Sequence, residues 1–201
     1  MNRVEIKNFA KEKLSGNLGS IWKILIIALG ISLASTCVVL SILFNKMDAD
    51  FLDSLLGILM MPLGIGTTAF FISLIENENF EAKDLFKYYH DFVKVIGVTI
   101  LMGLIVMLGY ICFIIPGIIL TLSYSLVPII LIKKPELGIV ETLKYSREKM
   151  QGHKLDAFVL GLSFIGWAIL GTLTFGILYI WLFPYMQLTF TKFYLNILGE
   201  E

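Results

Sequence analysis

The sequence predicts an all-α, polytopic membrane protein, and three observations carry that prediction. Hydrophobic residues make up 57% of the 201 and the mean hydropathy is +0.84, outside the range of globular domains. Four runs carry no charge: Ile24–Asn45, Ser54–Ile75, Val95–Ile132 and Ala157–Thr191. The 16 lysines and arginines lie almost entirely between alternate runs, the distribution of a chain that threads a bilayer.

The first two runs are 22 residues each, one span apiece, since about 20 helical residues cross the hydrocarbon core. The first exceeds the 7–15 apolar residues of a cleavable leader, so it reads as an uncleaved span. The third run, 38 residues, would be about 57 Å long as one helix and has to fold back. Ile115-Pro116-Gly117 is the natural place, where proline removes a donor and glycine permits reversal. The fourth, 35 residues, turns around Thr174-Phe175-Gly176. The expectation is six transmembrane helices in three hairpins within a single domain 1–201, with spans at about 21–44, 52–75, 92–114, 116–133, 155–173 and 176–198.

With six spans, fifteen basic residues fall on one side and only Lys46 on the other. That asymmetry places both termini in the cytoplasm. Three cytoplasmic segments, about 2–17, 78–91 and 135–152, each precede a hairpin and read as amphipathic surface helices. In the first, Val4, Phe9 and Leu14 fall near one face, and in the third Ile139, Leu143 and Met150 do so. Ala10-Lys11-Glu12-Lys13-Leu14-Ser15-Gly16-Asn17 also aligns with Ser146-Arg147-Glu148-Lys149-Met150-Gln151-Gly152-His153, three positions identical and four similar. This suggests a repeated unit of surface helix plus hairpin.

Little in the chain carries catalytic chemistry. Gly64-Ile65-Gly66-Thr67-Thr68-Ala69 matches the dinucleotide glycine pattern in form, but it lies mid-span without a preceding strand. It reads as close helix packing or a kink after Pro62. Ala168, Thr172 and Gly176, four apart, read as a helix-contact stripe. Cys37 and Cys112 sit in separate apolar runs and read as packing. No zinc-protease motif, nucleophile elbow or metal-spaced cluster occurs, so no cofactor or metal is expected and an enzyme ranks last. Charges fall at predicted helix ends, with Asp53 the innermost acid; Asp156 and Lys192 are placed to pair across the last hairpin.

Two groups stand out as binding candidates. Lys11, Lys13, Lys144, Arg147, Lys149 and Lys154 lie on the basic segments, and each such charge contributes about 1 kcal/mol toward anionic lipid. They are candidates for binding the anionic inner leaflet or a protein partner. Beside membrane spans they have no need of nucleic acid. Pro128 and Pro184 lie within spans and free carbonyls one turn back, so Tyr124, Ser125, Pro128, Pro184, Tyr185 and Gln187 form the candidate midplane pocket, against a plain kink satisfied by neighbouring hydroxyls.

The stretch Ser146–Lys154 resembles the serine–arginine–methionine–glycine–asparagine–lysine signature of a bacterial family, with His153 in place of the asparagine. Leu162–Trp167, Leu173–Ile177, Pro184-Tyr185, Phe193-Tyr194 and Pro116-Gly117-Ile118 with Tyr124 resemble its further blocks. The chain is thereby similar to the domain-of-unknown-function 975 family of six-helix integral membrane proteins, related to the YciC-like group. The resemblance implies a multi-pass protein of the bacterial plasma membrane and brings no activity. The leading expectation is a non-enzymatic component acting through lipids or a membrane protein partner, such as an export accessory, an envelope-stress factor or protection against membrane-active peptides. A small permease with a midplane site is the alternative, and a lipid- or peptide-directed membrane enzyme is less favoured. A homo-oligomer is permitted by the small-residue stripes.

Overall fold

The computed structural model describes residues 3–43 and 49–199, with side chains placed outside 34–43 and 49–55. Cys37, Lys46 and Asp53, weighed above, lie outside the described side chains. The elements in chain order are α1 (Arg3–Leu43), α2 (Ala49–Glu76), a 3-10 helix (Ala82–Tyr89), α3 (Phe92–Cys112), α4 (Ile114–Ser123), α5 (Val127–Lys133), α6 (Ile139–Lys149), α7 (Lys154–Leu173) and α8 (Tyr179–Leu198). No strand occurs among the described residues.

Among the described residues five stretches are long and apolar enough to cross a membrane: Arg3–Leu33, Leu56–Glu76, Phe92–Cys112, Ile114–Lys133 (α4 with α5) and Lys154–Leu173. In the first, third and fifth of these the side chains are largely outside the core. On α3 and the tip that follows it, Leu104, Met107, Leu108, Ile111 and Phe113 are all more than half exposed. A soluble protein does not leave such a band uncovered; a bilayer covers it. α8 has the length of a span, 20 residues, but carries Gln187, Lys192 and Asn196. Protein surrounds much of it instead: Leu182, Leu188, Phe193, Leu195 and Leu198 are buried against core residues of α1, α2, α5 and α7.

α1 is two helices in one. Asn17 leaves helical geometry (φ −130°, ψ 20°), and its side-chain amide donates to the Lys13 carbonyl, separating 3–16 from the apolar remainder. The buried stripe of 3–16 is Ile6, Ala10 and Leu14; of the expected face Leu14 is buried and Phe9 packs against the core, while Val4 is turned outward at 65% exposure. On α6 the expected face does pack: Leu143 and, at the C-cap, Met150 are buried with Thr142 and Ser146, and Ile139 is half-buried against the core. A search for apolar residues passes over Ala10 and Ser146, yet both are fully buried because small side chains let a helix approach closely. These two positions, and Leu14 and Met150 after them, correspond in the eight-residue alignment.

The segment after α2 does not form an independent surface helix. Asn77 takes a left-handed conformation (φ 58°), one that asparagine tolerates. The chain then folds back along α2, capped by the Glu78 amide on the Ser73 carbonyl (2.8 Å). Leu85 reaches Gly66, ten residues back from the end of α2, and a Cβ on Gly66 would collide with the Leu85 carbonyl. The glycine pattern is therefore a packing device, against the backbone of a connecting segment.

Both later hairpins close on a tyrosine laid over glycine. The α3–α4 reversal comes at the extended residue Phe113 (φ −166°, ψ 158°), slightly ahead of Ile115-Pro116-Gly117. Pro116 is thus in the first turn of α4, where its missing N–H has no helical partner to lose. The Tyr110 ring fills the space a side chain on Gly117 would need. In α7–α8 the chain turns through Phe175 (φ 51°) and Gly176 (φ 88°). Tyr179 covers Gly171 and donates to the Ala168 carbonyl (2.8 Å). Part of the small-residue stripe thus receives a ring from its own hairpin.

One end of the bundle collects the charged ties. Arg3 pairs with Asp156 at 3.1 Å, Lys133 with Glu76 at 2.5 Å, and Lys94 donates to the Pro135 carbonyl. Asp156 therefore takes Arg3 and not Lys192, whose ammonium sits over the Phe9 ring at 5.3 Å. The N-terminal helix runs along the last hairpin from its foot, with Arg3 at Asp156 and Lys7 at Ser163, and supplies both partners.

Candidate functional site

An apolar cleft of about 440 Å³ lies between α1, α2 and α8. Trp22, Leu25 and Leu29 form the α1 wall, Met60, Gly64, Thr67 and Phe71 the α2 wall, and Tyr179, Ile180, Phe183, Pro184 and Gln187 the α8 wall. Ile26, Leu29, Ile180 and Phe183 in its lining are 48–60% exposed, so the cleft opens sideways along the apolar band.

Its polar groups are few and mostly engaged. Thr67 donates to the Gly64 carbonyl at 2.8 Å and Ser32 to the Ala28 carbonyl at 3.1 Å. Tyr179 is held on α7. The Gln187 amide and the Trp22 indole N–H have no hydrogen-bond partner among the described residues. Pro184 has no N–H to offer the Ile180 carbonyl, so a backbone acceptor is freed on the same wall. A cleft of this size, mainly apolar with a few unspent polar groups, has the form of a small-ligand site. No carboxylate, amine, guanidinium, imidazole or thiol lines it, and its lining offers shape and hydrogen bonds.

The structure divides the candidate midplane residues. Pro184 and Gln187 line the cleft together, because residues three apart share a helix face. Tyr185 points away from them: its ring meets Phe164 edge-on at 5.4 Å and lines a second, smaller groove. Tyr124, Ser125 and Pro128 belong to neither. Pro128 is in the first turn of α5, and Tyr124 is 6% exposed in a core with Val98, Val127 and Leu143. The surrounding hydroxyls are used: Ser125 donates to Leu122, Ser123 to Ile119 and Ser146 to the Ser123 carbonyl at 2.9 Å. This break is a filled joint.

The basic candidates are dispersed too. Lys13 donates to the Asn77 side chain (2.5 Å), Lys149 lies over the Tyr145 ring at 5.6 Å, Lys144 and Arg147 face outward, and Lys154 is half-buried at the start of α7. Lys11 alone of the six lines a groove. Sequence reasoning missed the α1 and α2 walls, Trp22, Leu29, Gly64 and Phe71 among them. On α8 a signal was present: Ile180, Phe183, Pro184 and Gln187 follow the i, i+3, i+4, i+7 pattern of one face, from which Tyr185 is excluded.

A third, polar cavity of about 390 Å³ lies at the charged end, lined by Glu76, Glu78, Asp84, Lys87, Tyr88 and Lys133 among others. Burial, with Asp84 nearby, holds the Tyr88 hydroxyl above its ordinary pKa. No group of three histidine, cysteine, aspartate or glutamate residues that would hold a metal occurs among the described residues.

Exposed apolar helices, charged ties gathered at one end and an uncharged lateral cleft define a helical protein built for the membrane. The chain belongs to the family of proteins of unknown function DUF975, which matches residues 1–123 and 111–201. No curated protein and no solved structure matches it significantly.

Proposed function

We propose that this protein is a non-enzymatic, lipid-interacting component of the bacterial plasma membrane, with six spans and both termini in the cytoplasm. α8 is the sixth span, shielded by protein where its sequence is polar. The carrying observation is the cleft between α1, α2 and α8: apolar, open toward the lipid-facing band and furnished with the unspent Gln187 amide and Trp22 indole. An unpaired amide in hydrocarbon costs several kcal/mol, and a lipid ester or headgroup oxygen entering with its chain would satisfy it. The positive-inside distribution supports the orientation. The permease alternative retains Pro184 and loses the support of Pro128, whose surroundings are packed.

The test is gentle capture of the tagged protein from its own membrane, followed by mass spectrometry of proteins and lipids. A stoichiometric lipid with no constant protein partner is the expected result. A constant protein partner with no retained lipid would replace this reading with that of an accessory subunit.

A further inference from the structure

The second groove, about 310 Å³, lies between the N-terminal helix and the last hairpin and is lined by Lys11, Leu14, Ser15, Trp167, Trp181 and Tyr185 among others. Arg3, Lys7 and Lys11 are spaced four apart, so they form one stripe of cations on the N-terminal helix. The first two have partners on α7: Arg3 pairs with Asp156, and Lys7 donates to Ser163 (2.7 Å) while lying 4.5 Å over the Phe164 ring. The third, Lys11, has no partner among the described residues. Trp167 and Trp181 are 50% and 53% exposed, and neither indole N–H is hydrogen-bonded there.

The lining is therefore a set of donors. It offers one ammonium, two indole N–H groups and the Tyr185 hydroxyl, the Ser15 hydroxyl being spent on the Glu12 carbonyl (2.9 Å), and no carboxylate. Like charges four apart on a helix repel, and Lys11, exposed on the groove's rim, is open to an anionic partner. Resting on the lipid-interacting reading above, we propose that this groove is a selective site for an anionic glycerophospholipid. Its phosphodiester is held by Lys11 and the indole N–H groups, and its chain lies along Trp167, Leu178 and Trp181. The site is separate from the α1–α2–α8 cleft, which has no cation in its lining.

Trp22, Trp167 and Trp181 are the only tryptophans, so Trp22→Phe leaves the two that line the groove. This variant is reconstituted in phosphatidylcholine vesicles containing a rising fraction of chain-brominated phosphatidylglycerol, or of chain-brominated phosphatidylcholine. Half-maximal quenching is expected at about tenfold lower mole fraction for the anionic lipid. Lys11→Gln should abolish most of that preference, Lys11→Arg should keep it, and Lys13→Gln, which alters the contact with Asn77, should leave it unchanged. Equal quenching by the two lipids, or a preference equally sensitive to Lys13→Gln, overturns the proposal. Lipid retention in the cleft is read separately by capture, so the selective site can fail while the general reading stands.

Discussion

Pro128 and Pro184 both interrupt apolar helices, yet the structure treats them oppositely. At Pro128 the helix stops and restarts. The Tyr124 carbonyl takes the Val127 amide at 3.1 Å, Ser146 on α6 supplies the Ser123 carbonyl, and Leu126 is completely buried. At Pro184 the helix continues and the proline itself is buried, but no side chain among the described residues takes the freed Ile180 carbonyl, and Ile180 and Phe183 beside it are 48% and 49% exposed. A proline opens the backbone ladder in both cases. Whether the opening becomes a site depends on what the neighbouring elements supply there, and here α6 brings a hydroxyl to one break while no side chain among the described residues does so at the other.

That contrast is sharpest in a pair of truncations. Leu126→Ala is expected to lower the unfolding free energy by about 2–5 kcal/mol through the cavity it leaves. Phe183→Ala, on the open wall, should change it by less than about 1 kcal/mol. Thermal unfolding in detergent reads both, and equal losses would mean that the cleft is as tightly closed as the joint. Ser146→Ala should cost about 1–3 kcal/mol by stranding the Ser123 carbonyl, without altering lipid retention. Gln187→Leu is expected to leave stability unchanged or raise it by about 1 kcal/mol, since the amide it removes has no partner. A loss of 2 kcal/mol or more would show that Gln187 is engaged within the protein.

The helical membrane class was legible because uncharged runs and basic connections follow from the bilayer's own demands. The joint at 124–128 was not, because what fills it comes from a different segment: Ser146 and Leu143 approach it from α6, and an apolar pattern search ignores the serine. The fold-back of 77–91 depended on Asn77 adopting a left-handed turn and on Gly66 admitting the Leu85 backbone, a tertiary contact that propensity does not encode. Half of the cleft was legible on α8, where Pro184 and Gln187 share a face. Its other walls arise from how α1 and α2 pack together, which a single helix cannot reveal.

The account's central claim is that the α1–α2–α8 cleft holds a lipid chain, and filling it is the most direct test. A Cβ on Gly64 meets nothing within 4 Å, so Gly64→Leu projects into the cleft without a clash. Gly30 on α1 has equal space and does not line the cleft, making Gly30→Leu the matched control. Lipid bound per protein, counted by native mass spectrometry after gentle extraction, should fall by about one molecule in Gly64→Leu and remain unchanged in Gly30→Leu. Equal retention in the two variants would contradict the claim.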